Sequence, residues 1–252
     1  MLETLNLDLD IDKKIFKERR RRLEYDLYNL THATWRAGIP VLILFEGWDT
    51  AGKDLCIKTL TERQDPRGFR VEYITDPRTH EKQHPWMRRF WLRLPRSGEM
   101  AIFYSSWYRR VLIERVLDNI TTTEVKDAIR DITKTEAALT DDGMVIIKIL
   151  LHISRKEYKS RLEKRQHRPI PGYPVTERQW DLYQHYPALL DAFEEMLERT
   201  ETGNAPWHFI PAENQRYAQV TVMETVADVL RKILDQRGIE WEPVRPDPKE
   251  RG

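Results

Sequence analysis

Uninterrupted apolar runs, short and far apart, mark the chain at Val41 to Phe45, Met100 to Phe103 and Met144 to Ile153. Each predicts a strand buried on both faces, as in a parallel sheet covered by helices. Phe69 to Ile74, after the Asp65-Pro66-Arg67-Gly68 turn, predicts a further strand, and Pro206 to Ile210 the last. The stretches between follow a helical period. Asp12 to about Ala37 spaces Ile15, Leu23, Leu27, Leu30 and Trp35 along one face and stops at Gly38. Helices are also expected after Gly52 to about Arg63, over Pro85 to Leu94, from Val111 to about Asn119, and over Thr121 to Thr140. Ser154 then caps a basic helix. Val175 to Arg199 carries Trp180, Tyr183, Tyr186, Leu189, Leu190, Phe193 and Leu197 as one stripe, and Ala218 to Arg237 closes the fold. Residues 1–11 alternate Leu with acids and are expected to be a loosely ordered lead-in.

Strands alternating with helices require crossovers, which are right-handed, so the chain is expected to form a three-layer α/β/α sandwich around a central parallel sheet. The division read from the pattern is an N-terminal helical segment over residues 1–38, the α/β domain over 39–238, and an extended, Pro-rich, charged tail over 239–252. Charge adds little: 42 basic and 41 acidic residues leave a net +1, which gives no electrostatic case for nucleic acid or an anionic membrane as partner. No apolar stretch approaches a membrane span, and the N-terminus is acidic where a signal peptide would be basic. Cys56 is the only cysteine, which excludes a disulfide framework or zinc cluster and favours a reducing cytoplasm.

The candidate chemistry follows the first apolar run, where Gly47-Trp48-Asp49-Thr50-Ala51-Gly52-Lys53 leads from strand to helix. A G-x-x-x-x-G-K loop turns backbone N–H groups onto phosphate oxygens, sends a lysine to the outer phosphates and opens a helix whose N-terminus favours negative charge. Gly47, Thr50, Ala51, Gly52, Lys53 and Asp54 are therefore phosphate- and nucleotide-binding candidates, with helix capping as the plainer role for Asp54. The carboxylate of Asp49 would be repelled by bound phosphate unless a cation lay between, so it is read as a magnesium or acceptor-orienting group, with loop capping as the alternative. Arg88, Arg89 and Arg93, after the second strand, are candidates for anion contact, with a solvated face as the bland reading. From about 154 to 180 the chain has the make-up of a helical lid, in which Arg155, Lys156, Arg161, Arg165 and Arg168 could follow a linear polyanion. Lys148, inside the most apolar strand, needs either the phosphate pocket or a route to solvent.

Four segments carry a family resemblance: FEGWDTAGKD at Phe45 to Asp54, SSWYRRVLIERV at Ser105 to Val116, IIKILLHISRKEYKSRLEKR at Ile146 to Arg165, and ERTETGNAPWHFI at Glu198 to Ile210. With these the chain resembles the polyphosphate kinase 2 family, closest to the divergent domain of polyphosphate:AMP phosphotransferases. The resemblance implies a P-loop NTPase-like fold and Mg2+-dependent phosphoryl transfer between inorganic polyphosphate and a nucleotide (AMP, ADP, GDP or ATP). It also implies a homo-oligomer, dimer or tetramer. Carried over by position, it makes Asp49, Lys53 and Arg110 catalytic, with Asp49 on the metal. The chain departs from the family where D-R-S-W-Y is usual: Tyr104 and Ser105 replace the acid and the arginine. A catalytically impaired polyphosphate- or nucleotide-binding domain is therefore the second reading, with Asp49, Asp54 and Glu114 as the carboxylates able to substitute.

Overall fold

The computed structural model describes residues 2–117, 120–167 and 174–242. Five strands, β1 (Val41–Gly47), β2 (Phe69–Glu72), β3 (Met100–Phe103), β4 (Val145–His152) and β5 (Trp207–Pro211), form one all-parallel sheet in the order β2-β3-β1-β4-β5. The apolar runs are its centre: all of β3 and β4 and six residues of β1 are buried. β1 lies between β3 and β4, so the connections leave it in opposite directions and open a crevice at the carboxyl ends of the strands. Helices complete the sandwich. α1 (Lys13–Arg36) and α2 (Lys53–Thr61) pack on α9 (Gln215–Gln236), and α5 (Thr122–Asp141) packs on α8 (Tyr186–Thr200) and on β4. Among the described residues, no helix is long and apolar enough to cross a membrane.

Several elements differ from their sequence reading, each for a local reason. The helix expected over Pro85 to Leu94 is a single turn, α3 (Arg88–Trp91). Its arginines hold the chain together: Arg89 donates to the Thr75 carbonyl at 2.8 Å, Arg93 lies 3.3 Å from both Glu72 and Glu81, and Arg89 lies 3.5 Å from Glu81. The helix after β3 begins as a π-helical turn, Arg110–Glu114, and ends in α4 (Arg115–Leu117). The long helix expected from Val175 is two, α7 (Glu177–Gln184) and α8, because Pro187 has no N–H to continue a helix and is suited to a first turn. On α1, Leu23, Leu27 and Leu30 are buried while Ile15 and Trp35 are exposed. The lead-in is anchored, with Leu2 and Ile11 buried and the Leu2 N–H donating to Glu194.

Lys148 reaches neither the phosphate pocket nor solvent. It is fully buried, with its Nζ 3.0 Å from Glu136 Oε2 and 2.7 Å from the Thr200 carbonyl. Glu136 in turn accepts from Trp107 Nε1 at 3.0 Å and Tyr108 OH at 2.7 Å, so the charge pair is enclosed in a bonded network. This network ties the turn after β3 to α5 and α8. Cys56 is buried core packing, its thiol pushed up to about 12 by burial.

Candidate active site

The loop after β1 is shaped by two glycines with left-handed backbone. Gly47 has φ +125°, and a Cβ there would meet the Leu151 carbonyl oxygen at 2.2 Å; Gly52, with φ +95°, is the N-cap of α2. Lys53, first residue of α2, is 6 % exposed and folds back over the loop, its Nζ donating to the Gly47 carbonyl at 2.8 Å and the Trp48 carbonyl at 3.1 Å. Burial lowers the lysine pKa, and Asp49, Glu46 and Asp54 oppose that shift. The Tyr104 ring covers the ammonium from 5.4 Å.

Trp48 fixes the loop from below. Its indole stacks on Tyr186 at 4.1 Å and 10°, meets Phe193 edge-on at 5.0 Å, and donates through Nε1 to His152 Nδ1 at 3.0 Å. His152 accepts that bond, so its proton sits on Nε2 and the ring is neutral. Burial holds its pKa down at about 4 against the pull of Glu194 and Glu213. The unfolded chain therefore takes up this proton first as pH falls. Stability is untouched above pH 6.5, falls by up to about 3 kcal/mol on acidification towards pH 4, and levels off below. Urea unfolding at pH 7 and 4.5 checks this: His152→Gln will show the smaller acid loss.

A cleft of about 380 Å³ opens over the loop, with Lys53, Arg109, Arg165 and Arg178 as its cations and Glu46, Asp49 and Asp76 as its anions. Asp49 accepts a hydrogen bond from Gln179 Nε2 on α7. Asp76 pairs with Arg109 and, at 3.2 Å, with Arg178, the neighbour of Gln179. Two consecutive residues of α7 are thus fastened to two carboxylates of the cleft. Leu112, Ile113, Leu182, Leu189 and Phe193 form its apolar wall.

The sequence candidates divide in space. Gly47, Asp49, Lys53 and Arg165 line the cleft, and Arg165 Nε is buried with no hydrogen bond among the described residues. Ala51 is buried in the loop, and Thr50 Oγ1 is buried and unbonded beside it. Arg161, on α6 (Arg155–His167), is not free for phosphate. It donates to the Thr50 carbonyl at 2.9 Å, the Ala212 and Glu213 carbonyls at 2.7 Å, and Glu157 at 2.7 Å, bracing the loop from behind. Arg155 lies over Tyr183 at 5.4 Å, Lys156 and Asp54 are exposed, and Arg168 is outside the described residues. Arg110 points away from the cleft, 3.2 Å from Glu114 and 5.4 Å from the Trp86 ring centroid; Arg109 occupies the cleft instead. Of the carboxylates read as able to substitute for the missing acid, Asp49 lines the cleft, whereas Glu114 is paired with Arg110 and Asp54 is exposed.

Glu46 was not singled out from sequence. It is 3 % exposed at the end of β1, accepts from Ser106 N and Oγ at 2.7 Å each, and burial raises its pKa against those two bonds. The signal was present: an acid closing an otherwise apolar strand, at the edge where α/β sheets bind ligands. Arg109, Asp76, Arg178 and Gln179 carried no local signal, since each is brought to the cleft through a partner distant in sequence. Ser105 adopts φ +105° beside Tyr104, a strained backbone for a residue with a side chain.

A glycine loop between a central parallel strand and a helix, with its lysine at the floor of a cationic cleft, defines a phosphate-loop protein. A profile of the polyphosphate kinase 2 (PPK2) family matches residues 10–237. The chain is 30% identical over 91% of its length to a polyphosphate:AMP phosphotransferase of Pseudomonas aeruginosa, covering 46% of that protein. It is 32% identical over 86% of its length to ADP-polyphosphate phosphotransferase 3 of Rhizobium meliloti, covering 75% of it. A solved Pseudomonas aeruginosa PA01 structure described as polyphosphate kinase 2 superposes with TM-score 0.90 at 30% identity, over 93% of this chain and 50% of that one. Polyphosphate kinase 2 of Arthrobacter aurescens TC1 superposes with TM-score 0.87 at 25% identity, over 98% and 89%. The chain belongs to the polyphosphate kinase 2 family, and spans about half the length of the polyphosphate:AMP phosphotransferases it matches.

Proposed function

We propose that this chain transfers phosphoryl groups between inorganic polyphosphate and a nucleoside mono- or diphosphate. The observation that carries the reading is the meeting of Lys53, Arg109, Arg165 and Arg178, from four separate segments, in one cleft over the glycine loop. Phosphoryl transfer needs little covalent chemistry from a protein; it needs the phosphates in line and their charge matched. Lys53 exchanges its two loop carbonyls for oxygens of the outer phosphates. Arg109 and Arg178, leaving Asp76, hold the linear anion, and the buried, unbonded Nε of Arg165 adds a donor from the lid. The apolar wall from Leu112 to Phe193 excludes the water that would divert the phosphoryl group to hydrolysis.

Asp49 is the group that would hold magnesium. Among the described residues no three His, Cys, Asp or Glu side chains are grouped for a metal. The Asp49 carboxylate, on the cleft wall, is a hard oxygen donor of the kind that would fit a magnesium bound together with substrate phosphates. Bound there, magnesium would supply charge neutralisation for the transferring phosphate. The chain's part is to free Asp49 from Gln179 when substrate enters. The reading places the protein in the cytoplasm, as a homo-oligomer.

The test is a coupled assay of purified protein with polyphosphate, magnesium and AMP or ADP, following ATP or ADP formation. Turnover with either acceptor is the expected result. Silence with AMP, ADP and GDP in both directions, under conditions where polyphosphate binds tightly, would overturn it.

A further inference from the structure

We propose that Tyr73 and Tyr104 form an aromatic shelf that binds the base of a purine nucleotide at the mouth of the cleft; this rests on the phosphoryl-transfer reading and names how its nucleotide is held. Tyr73 follows the last residue of β2 and is 70% exposed, the most open large apolar side chain among the described residues. It nevertheless lines the same cleft as Lys53. Its ring meets that of Tyr104 at 5.1 Å and 56°, and the Lys53 ammonium lies 5.4 Å from the Tyr104 ring centroid. The contacts leading out of the loop therefore run from cation to half-buried ring to open ring. Those two steps match the order of a nucleotide, in which a ribose separates phosphate from base.

An aromatic ring left in water at the rim of a phosphate cleft has an unused face, and every base has a π-face to set against it. Burial keeps the Tyr104 phenol protonated, so the residue in the acid's usual place adds no negative charge next to an anionic ligand. Replacement of a carboxylate by a ring thus removes one anion from the cleft and puts an aromatic face in its place. Beyond a phenol hydroxyl each, the two rings present only apolar faces, so the shelf selects by area: purines above pyrimidines, with adenine and guanine alike. Base stacking on an aromatic ring is strong enough for loss of one ring to be read as a tenfold change in affinity, about 1.4 kcal/mol.

The experiment is isothermal titration of the unaltered protein, Tyr73→Ala and Tyr73→Phe with AMP, ribose 5-phosphate and tripolyphosphate. Tyr73 is exposed, so both variants keep the fold, which equal melting temperatures verify. Tyr73→Ala is expected to weaken AMP about tenfold and to leave ribose 5-phosphate and tripolyphosphate within twofold, while Tyr73→Phe matches the unaltered protein. AMP affinity unchanged in Tyr73→Ala overturns the shelf alone, as does an equal loss for ribose 5-phosphate. Failure of the unaltered protein to bind either AMP or tripolyphosphate overturns the functional reading and the shelf with it.

Discussion

Lys53→Ala is expected to lower turnover in the polyphosphate assay by about a hundred- to a thousandfold, the range for losing one preorganised donor to a charge that develops in the transition state. The side chain is suited to that role because its present bonds are replaceable. It is held by two carbonyls of its own loop, at 2.8 and 3.1 Å, and not, among the described residues, by an ion pair that would have to be broken at greater cost. Burial also makes the free ammonium uncomfortable, which the lowered pKa registers, and an arriving phosphate relieves that. The melting temperature should change little, since the substitution removes a desolvated charge together with two bonds. The measurement is kcat with saturating polyphosphate and ADP beside a thermal melt. A variant within tenfold of the unaltered protein would move the transferring phosphate from Lys53 to the arginines of the lid.

Gly47→Ala is expected to be the most damaging single methyl in the protein. The added Cβ would sit 2.2 Å from the Leu151 carbonyl oxygen, on the neighbouring strand, and φ at +125° is closed to a residue with a side chain. Backbone strain and overpacking each cost about 1–3 kcal/mol, and neither can relax without moving β1 against β4, its partner along seven residues. The expected loss is about 3 kcal/mol or more, read as a lowered urea midpoint or as insoluble expression. Gly52→Ala is a useful contrast. It shares the positive φ but finds no atom within 4 Å, so it should lose only the conformational part. Equal stability of Gly47→Ala and the unaltered protein would mean that the loop leaves β1 by another path.

What the sequence made legible were features written locally. A strand buried on both faces must be apolar throughout, so β1, β3 and β4 could be read from three runs of residues, and the glycine loop from its own spacing. The sequence reading failed where side chains serve distant partners. Arg88 to Arg93 looked like a basic helical face, but Arg89 and Arg93 are committed to Glu81 and Glu72, and the helix is one turn long. Arg161 looked like a phosphate ligand because its neighbours are basic; its three carbonyl partners lie 51, 52 and 111 residues away. Arg110 was carried over by resemblance, whereas the π-helical turn that starts there leaves its neighbour Arg109 in the cleft. Glu46 was hidden by the apolar strand that contains it.

Asp76 gives the cleft a property beyond holding arginines. It already occupies Arg109 and Arg178, as an anion tethered to the same chain and never diluted away. Any incoming anion has to outbid it, and a ligand with one phosphate offers a single group against an opponent permanently in place. A chain of phosphates can displace the carboxylate at one arginine while still engaged at Lys53, and so gains at the second what it spent at the first. On the phosphoryl-transfer reading, the resting pair therefore weights binding at these two arginines by valence, favouring a chain of phosphates over orthophosphate.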